Sequence, residues 1–538
     1  NQIFRIKGKG MDELSLLPLG TSDFATLRIR NQIYVDKSAL IYKIAIRPGK
    51  FFLARPRRFG KSLLISTFES LFKFGLRDFK GLTIEKLWKE TETYNVVRLD
   101  FSEIRPDFGL EKFRDDLRDR LIDNFAPYGF NFDKTGTSIF SQLSSWLKKQ
   151  APNSLVILVD EYDAPLTSCL SNFELFEKVR SLLSDFYAIL KSNDGALRFV
   201  FITGITKFNK TRIFSALNNL SDLSLDVEFG ELLGYTKEEI EKYFSPYLAC
   251  AARALDLTRF ELLGALMRHY DGFCFERSAT ERVFAPWSLL NFFASPRNGL
   301  LDYWFESGGK PSVLMEYLKS HAMRSPEEYG REKTISLSTL SGSSDADTLS
   351  DLGLLTQTGY LTIKAVKYGD TVYLDYPNLE VKKAMGQLYV EHLLTGRSAG
   401  QVGAGPIVQV LSEESAEALV HILNRLFAAI DYQRYPVRDE ASVRAFTQVY
   451  FAGAGLEPKV EHHTAHGRSD LEVKVNNRHW ILEFKVSRDQ ENPDQKLEEA
   501  VEQLKLKGYG DDSSSENLIK VALVFSLEER KFIRWKEV

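Results

Sequence analysis

The 538-residue chain is short of cysteine, of methionine and of net charge, and each shortage excludes something. Its three cysteines, Cys169, Cys250 and Cys274, lie far apart in no metal-binding spacing. That excludes a disulfide scaffold and a zinc finger, and reduced thiols in a cytoplasm are the expectation. No run of 18 apolar residues occurs, so no membrane-spanning helix is expected. The opening NQIFRIKGKGM has no apolar stretch of the signal-peptide kind; Met11 is read as the natural start and residues 1–10 as an appendage. With 70 Lys and Arg against 73 Asp and Glu, the formal charge of −3 gives no overall basic field. Any contact with a polyanion must therefore be local. The rest is ordinary globular composition, 44% apolar and 27% charged, long enough for two to four domains at roughly 150 residues each.

Between about residues 20 and 225, short apolar runs at Lys50–Ala54, Asn95–Phe101, Leu155–Val159 and Arg198–Ile205 alternate with helical patterns. This predicts an α/β domain with a parallel sheet. From 230 to 345 the pattern is mostly helical, opening on the cap-like GYTKEE. LSTLSGSSDADTLSD (337–351) reads as a loop. LLTQTGYLTIK and TVYLDYP read as a hairpin around Tyr368, Gly369 and Asp370, the wing of a small winged-helix-like unit. Gly400 to Gly405 reads as a hinge. The last hundred residues form a further α/β unit: a helix, a strand pair, a charged helix, then VALVF.

In LARPRRFGKSLL (53–64) an apolar strand runs into a helix with Leu63, Leu64, Phe68, Leu71 and Phe72 at helical spacing. Arg55, Arg57, Arg58 and Lys61 crowd the helix start, where the helix dipole is already positive. A phosphate held on the helix N-terminus would resolve that repulsion. Gly60, Lys61 and Ser62 fit the phosphate-loop pattern G-x-x-x-x-G-K-[ST], although Arg55 replaces the leading glycine and Pro56 lacks an N–H. A basic surface turn ahead of an amphipathic helix would read the same.

SLVILVDEYDAP (154–165) is a continuous apolar run ending in two acids, as for a strand buried on both faces. Its carboxyl end is where open α/β sheets bind ligands. Asp160 would hold Mg²⁺ with the Ser62 hydroxyl, and Glu161 would polarise the attacking water. An ordinary strand end capped by acids is the alternative. Thr203, late in RFVFITGI, could face the γ-phosphate or simply be a satisfied strand-end hydroxyl.

These segments, with LPLGTSDFATLR, IYVDKSALIYKIA, FSALNNLSDLSLD, YDGFCF, PWSLLNFF and YPNLEVKKAM, resemble the predicted AAA-ATPase-like family from about residue 15 to 390. That family itself writes RPRRFGKS or RPRRFGKT. The resemblance implies an additional-strand (ASCE-type) P-loop ATPase with a helical lid, ATP and Mg²⁺ as ligands, and Arg57, Arg58, Gly60, Lys61, Ser62, Asp160 and Thr203 around the nucleotide. No arginine finger is assignable; Lys207 and Arg212 are candidates without support.

HHTAHGRSDLEVKVNNRHWILEFKV (462–486) carries the second pattern. Asn476 and Asn477 suit a two-residue turn. If Val475 pairs with Arg478, Asp470 faces Glu483 and Lys485 shares their face, while Leu471, Val473, Trp480, Leu482 and Phe484 form a core stripe. Opposed carboxylates destabilise a hairpin unless a cation neutralises them, and Mg²⁺ suits such a pair. An exposed strand of alternating charge is the alternative. Residues 437–538 resemble the PD-(D/E)xK nuclease superfamily, with Ser469 in place of the usual proline. That likeness implies Asp470 and Glu483 as ligands of Mg²⁺ or Mn²⁺, Lys485 as catalytic lysine, Glu440 as a further metal carboxylate, and Gln503 as the polar residue of the following helix. His462, His463, His466 and His479 cluster nearby but match no zinc spacing.

The expected layout is an N-terminal lead (1–19), ATPase core (20–229), helical lid (230–345), winged-helix-like unit (346–390), helical linker (391–436) and nuclease-like domain (437–538). The expected function is an ATPase whose nucleotide state controls a metal-dependent nuclease on DNA or RNA. Genome defence is the setting suggested by analogy. The competing expectation is a nucleotide-dependent switch or scaffold that binds nucleic acid or protein without cutting. Nucleic acid is the expected partner, self-association a further expectation, and no membrane is involved.

Overall fold

The four apolar runs become strands of one parallel sheet. A computed structural model describes residues 14–207, 213–214, 217, 219–306, 312–320, 323–341, 350–460, 470–506 and 517–538. In it β1 (Gly49–Ala54), β2 (Asn95–Asp100), β3 (Leu155–Asp160) and β4 (Leu197–Gly204) are joined by a short β5 (Leu220–Asp222). The order is β2-β3-β4-β1-β5, and all four pairings are parallel. β3 and β4 are buried at every position, which is why their sequences do not alternate. Strand β4 separates β1, which feeds the phosphate loop, from the acidic β3. That is the additional-strand order. β5 escaped the sequence reading because it is three residues long, polar and partly exposed at the sheet edge.

The chain divides into two units, one of residues 1–320 and 333–379, the other of 321–332 and 380–538. In the first, helices Lys237–Tyr243, Ser245–Ala254, Arg259–Tyr270 and Pro286–Ala294 enclose a core that includes Phe244, Leu248, Leu266 and Phe293. The GYTKEE signal is a full capping box, with Thr236 and Glu239 each bonding the other's backbone N–H. The same unit holds an antiparallel sheet of β6 (Lys333–Ser336), β7 (Thr362–Lys367) and β8 (Thr371–Asp375) in the order β6-β8-β7. Its hairpin turns at Tyr368 and Gly369, both with left-handed φ (56° and 79°). The LLTQT segment is not a strand. It lies in a helix, Asp351–Gln357, that Ser350 caps and that buries Leu352, Leu354 and Leu355. Part of the expected loop is also helical, at Leu337–Ser341, and residues 342–349 lie outside the described ones.

The second unit is built on β9 (Lys459–Val460), β10 (Asp470–Val475), β11 (Arg478–Ser487), β12 (Asn517–Ser526) and β13 (Lys531–Glu537), in the order β13-β12-β11-β10-β9. β11 and β12 run parallel and the other pairs antiparallel. The expected linker, 391–436, belongs to this unit. The Trp480 indole N–H donates to the Leu411 carbonyl at 2.8 Å, and Asn424 exchanges two hydrogen bonds with the Phe532 backbone. The expected hinge is packed as well: Ala404 is fully buried and its carbonyl accepts the Tyr450 hydroxyl. Apolar residues at 407–428 were thus core, not connection.

Helix Glu440–Gly453 crosses helix Leu379–Leu393 at a pair of glycines. A Cβ on Gly386 would stand 2.5 Å from the Gly453 backbone nitrogen. Alanine normally favours a helix over glycine by about 1 kcal/mol, but here backbone would have to move. Gly386→Ala is therefore expected to lower stability by roughly 2–3 kcal/mol, read by calorimetry as a fall of several degrees in the Tm of the C-terminal unit. A rise in Tm would contradict the crossing.

Candidate nucleotide and metal sites

Between β1 and the helix Lys61–Phe74 the chain turns tightly, with left-handed φ at Arg58 (69°) and Gly60 (96°). The loop's arginines go separate ways. Arg55 is buried and donates to the carbonyls of Ala54 (2.9 Å), Ser224 (2.8 Å) and Phe229 (3.1 Å), with its guanidinium 4.6 Å from the Phe275 ring centre. Burial pulls its pKa down to about 9. It is a strut, not a cation facing a phosphate. Arg58 donates to the Tyr303 carbonyl at 3.2 Å and lies over Trp287, so its side chain is drawn to the helical lid. Phe59 is 2% exposed and packs edge-on against Phe273 and Phe275. Gly359, just past helix Asp351–Gln357, comes so close that a Cβ there would stand 3.0 Å from the Pro56 ring.

Lys61 is buried, and its ammonium donates to the carbonyls of Arg55 (3.0 Å) and Pro56 (2.9 Å). Burial lowers its pKa, opposed by Asp160, Glu161 and Asp163. The Ser62 side chain lies close enough to the Asp160 carboxylate to favour its charged form, so the loop and β3 meet. Burial raises the pKa of Asp160, with Ser62 and Lys61 pulling the other way. Glu161 stands just past β3 with φ at 50°, a backbone a glutamate adopts at a cost, and burial raises its pKa against the pull of Lys61. Ser62 and Asp160 form an oxygen-only donor set that fits Mg²⁺. The next acid, Asp163, is taken up structurally by the backbone N–H groups of Ile205 and Thr206 and the Thr206 hydroxyl. Thr203 is fully buried and its hydroxyl donates to the Leu53 carbonyl at 2.9 Å. That hydrogen bond ties β4 to β1.

Sequence reasoning missed a small, partly open apolar pocket beside Gly60, lined by Val35, Leu63, Leu64, Leu232 and Tyr235 among others, with Lys37 its cation. Its signal lay in the IYVDKSA and GYT segments, whose apolar residues read as core or cap.

In the second unit the strand register is the one the turn predicts: Val475 pairs with Arg478 and Asp470 with Glu483. Leu471, Val473, Trp480, Leu482 and Phe484 are all buried on the opposite face. Glu483 is fully buried, and one of its oxygens lies 3.7 Å from the Lys485 ammonium. Glu440, in the first turn of its helix, accepts the Val486 N–H at 3.2 Å and so reaches the strand beside Lys485. Gln503 is half-buried on helix Pro493–Leu506, whose Ala500 and Leu504 cover Ile481 and Ala522 on the Glu483 face. A fully buried carboxylate beside a lysine, paired by register with a second acid, fits a hard divalent cation. His479 lies 2.7 Å from Glu472, while His462, His463 and His466 lie outside the described residues. Among the described residues no group of three His, Cys, Asp or Glu gathers as a metal cage, and no helix is long and apolar enough to cross a membrane.

The strut makes a prediction. Arg55→Lys cannot reach three carbonyls from one ammonium, so urea unfolding should show a loss of about 2–3 kcal/mol, as for buried acceptors left without a donor. ATP affinity of the folded protein should stay at the parent's level. A large loss of affinity without loss of stability would mean that Arg55 meets the phosphates after all.

Over 532 residues the chain is 29% identical to an uncharacterized protein in the vnfD 5′ region of Azotobacter chroococcum mcd 1, covering 96% of this chain and 98% of that one. Among solved structures it is similar to the Walker-type ATPase paby2304 of Pyrococcus abyssi (13% identity, TM-score 0.34, 64% of this chain and 93% of that one). The Aeropyrum pernix ORC2 protein is comparably distant (13% identity, TM-score 0.30, 83% and 90%). Neither informs the role of any residue. Family models match at two places, and their places coincide with the two sites just described. Residues 18–214 match the family model of a predicted AAA-ATPase, and residues 438–535 match that of the PD-(D/E)XK nuclease superfamily.

Proposed function

We propose that the first unit binds and hydrolyses ATP and that its nucleotide state controls a Mg²⁺-dependent phosphodiesterase in the second, acting on DNA or RNA. The observation that carries the nuclease half is the pairing of Asp470 with the fully buried Glu483, with Lys485 3.7 Å away. The ATPase half is supported by the contact between Ser62 and Asp160 beside the buried Lys61.

At the nucleotide site, Lys61 exchanges its two loop carbonyls for β- and γ-phosphate oxygens. Ser62 and Asp160 would hold Mg²⁺, which supplies charge neutralisation at the phosphates. Glu161 takes a proton from the attacking water, and the pocket lined by Val35, Leu63 and Tyr235 receives the base. At the nuclease site, Asp470, Glu483 and Glu440 would hold Mg²⁺ or Mn²⁺, which stabilises charge on the scissile phosphate. Lys485 orients or deprotonates the attacking water, and Gln503 offers a polar contact from the covering helix.

Two measurements test the halves separately. Glu161→Gln keeps ATP binding but cuts turnover by ~10²-fold or more, as for loss of a general base. Because burial raises its pKa, Glu161 stays protonated to a higher pH than an ordinary carboxylate. Turnover should therefore fall on acidification while still above the usual carboxylate range, and the Gln variant should lack that limb.

For the nuclease, Mg²⁺ or Mn²⁺ should raise the Tm of the C-terminal unit and permit cleavage of labelled DNA or RNA. Asp470→Asn loses both the metal-induced rise and cleavage, whereas Lys485→Ala keeps the rise and loses only cleavage. If Asp470→Asn retains the full rise, the metal site is wrong and the C-terminal domain is a binding module under nucleotide control.

A further inference from the structure

The turn after helix Asp351–Gln357 meets the nucleotide site from two sides. The Gln357 carboxamide oxygen accepts the Lys207 N–H at 2.8 Å, just past the carboxyl end of β4. An N–H can only meet the oxygen of a carboxamide, so this contact fixes which way the amide points. Lys207 follows Ile205 and Thr206, whose N–H groups are held by Asp163, two residues beyond the proposed base Glu161. The strand ends are tightly packed there: a Cβ on Gly204 would stand 2.5 Å from Asp163 Oδ1. Two residues after Gln357, Gly359 meets the other side. A Cβ there would stand 3.0 Å from the Pro56 ring and 2.8 Å from the Trp304 ring, at a φ of 86°. The Pro56 carbonyl is one of the two that hold the Lys61 ammonium. One short turn therefore touches both the residue whose carbonyl holds the phosphate-binding lysine and the strand end tied to the base.

The turn is also stiff. The N–H groups of Tyr360 and Leu361 both bond the Leu355 carbonyl, at 2.8 and 3.1 Å, and the Thr358 hydroxyl bonds that of Leu354. With Leu352, Leu354 and Leu355 buried, the helix, the turn and the start of β7 are bound to move together. The helix contains Asp351 and neither lysine nor arginine, so it offers no cation to a nucleic-acid phosphate. We propose that this helix and turn read the state of the nucleotide site. Gln357 is the positioning residue that couples the winged-helix-like sheet β6–β8 to the ends of β3 and β4. This rests on the ATP-hydrolysing reading above. When Lys61 leaves the Pro56 carbonyl for a triphosphate, the loop shifts against Gly359. The turn passes that shift to β7 and, through Gln357, to Lys207 and the Asp163 staple that holds Glu161 in place for the attacking water. ADP lacks the γ-phosphate and draws the lysine away less. The winged-helix-like unit thus acts inward, on the ATPase.

The test uses the full chain and two substitutions of similar bulk: Gln357→Met removes the acceptor and Gln357→Glu keeps one. Each is checked for folding by circular dichroism. Turnover should fall roughly tenfold in Gln357→Met, the size of one hydrogen bond lost wholly from the transition state, with ATP and ADP affinity at the parent's level. Gln357→Glu should recover most of that loss, which packing alone would not give. Peptide-level hydrogen exchange supplies the second readout, with the non-hydrolysable β,γ-imido analogue of ATP set against ADP. Exchange over 351–362 should be slower with the analogue, and Gln357→Met should erase the difference. Turnover at the parent's level in Gln357→Met overturns the inference, and so does parent exchange over 351–362 that is the same with both nucleotides. If that variant turns over normally but binds labelled DNA or RNA more weakly, the helix is a nucleic-acid contact and the inference is again overturned. A folded parent that binds no ATP overturns the ATPase reading itself, and this inference with it.

Discussion

A buried guanidinium holds the phosphate loop in shape. A glycine at position 55 would let the backbone bend freely. Arg55 instead anchors the loop from its side chain, donating to carbonyls on the chain after β5. Desolvating a lone arginine is expensive, and neutral carbonyls offset only part of that cost, so nearby Asp222 adds a longer-range attraction. Phe59 fixes the other end of the loop among Phe273 and Phe275. The loop is therefore held at one end by the chain after β5 and at the other by Phe273 and Phe275, and Gly359, just past helix Asp351–Gln357, comes against its Pro56. Any change the nucleotide imposes on this loop meets lid side chains at once.

The same desolvation sets the electrostatics at the carboxyl end of the sheet. Asp160 and Glu161 are both pushed toward neutrality by burial, and Lys61 pulls both back. The lysine is in turn pushed toward neutrality and held charged by those acids. Lys61 and the acids each offset part of the desolvation the other feels. The left-handed backbone of Glu161 adds local strain, which the flanking Asp163 staple to Ile205 and Thr206 can sustain.

Much of this was legible in the sequence, where period and register decide. The strands β1 to β4 were marked by apolar runs too short for helices. The Asp470–Glu483 pairing followed from one asparagine turn, because side chains alternate and a register shift would have exposed Trp480 and Leu482. What stayed illegible depended on tertiary partners. Nothing local distinguishes Arg55, Arg57 and Arg58; their separate fates are set by Ser224, Phe229, Tyr303 and Trp287, all more than 160 residues on. Thr203 could not be assigned because the Leu53 carbonyl that takes its hydroxyl is on another strand. Helices between 407 and 428 looked like a linker because their apolar face is recognisable as core only once β11 and β13 lie against it.

The C-terminal unit is discontinuous, taking residues 321–332 from upstream of the β6–β8 sheet and the remainder from 380 onward. Tyr329 shows the join, its hydroxyl donating to the Lys382 carbonyl and its ring meeting Tyr389 edge-on. During synthesis this early piece leaves the ribosome well before the strands it will support, so it must wait without a core while 333–379 folds between its two halves. Assembly of the nuclease domain is thereby ordered after the winged-helix-like segment. The sheet of the second unit, which needs β12 and β13, is therefore complete only after the strands of the first unit have all been made.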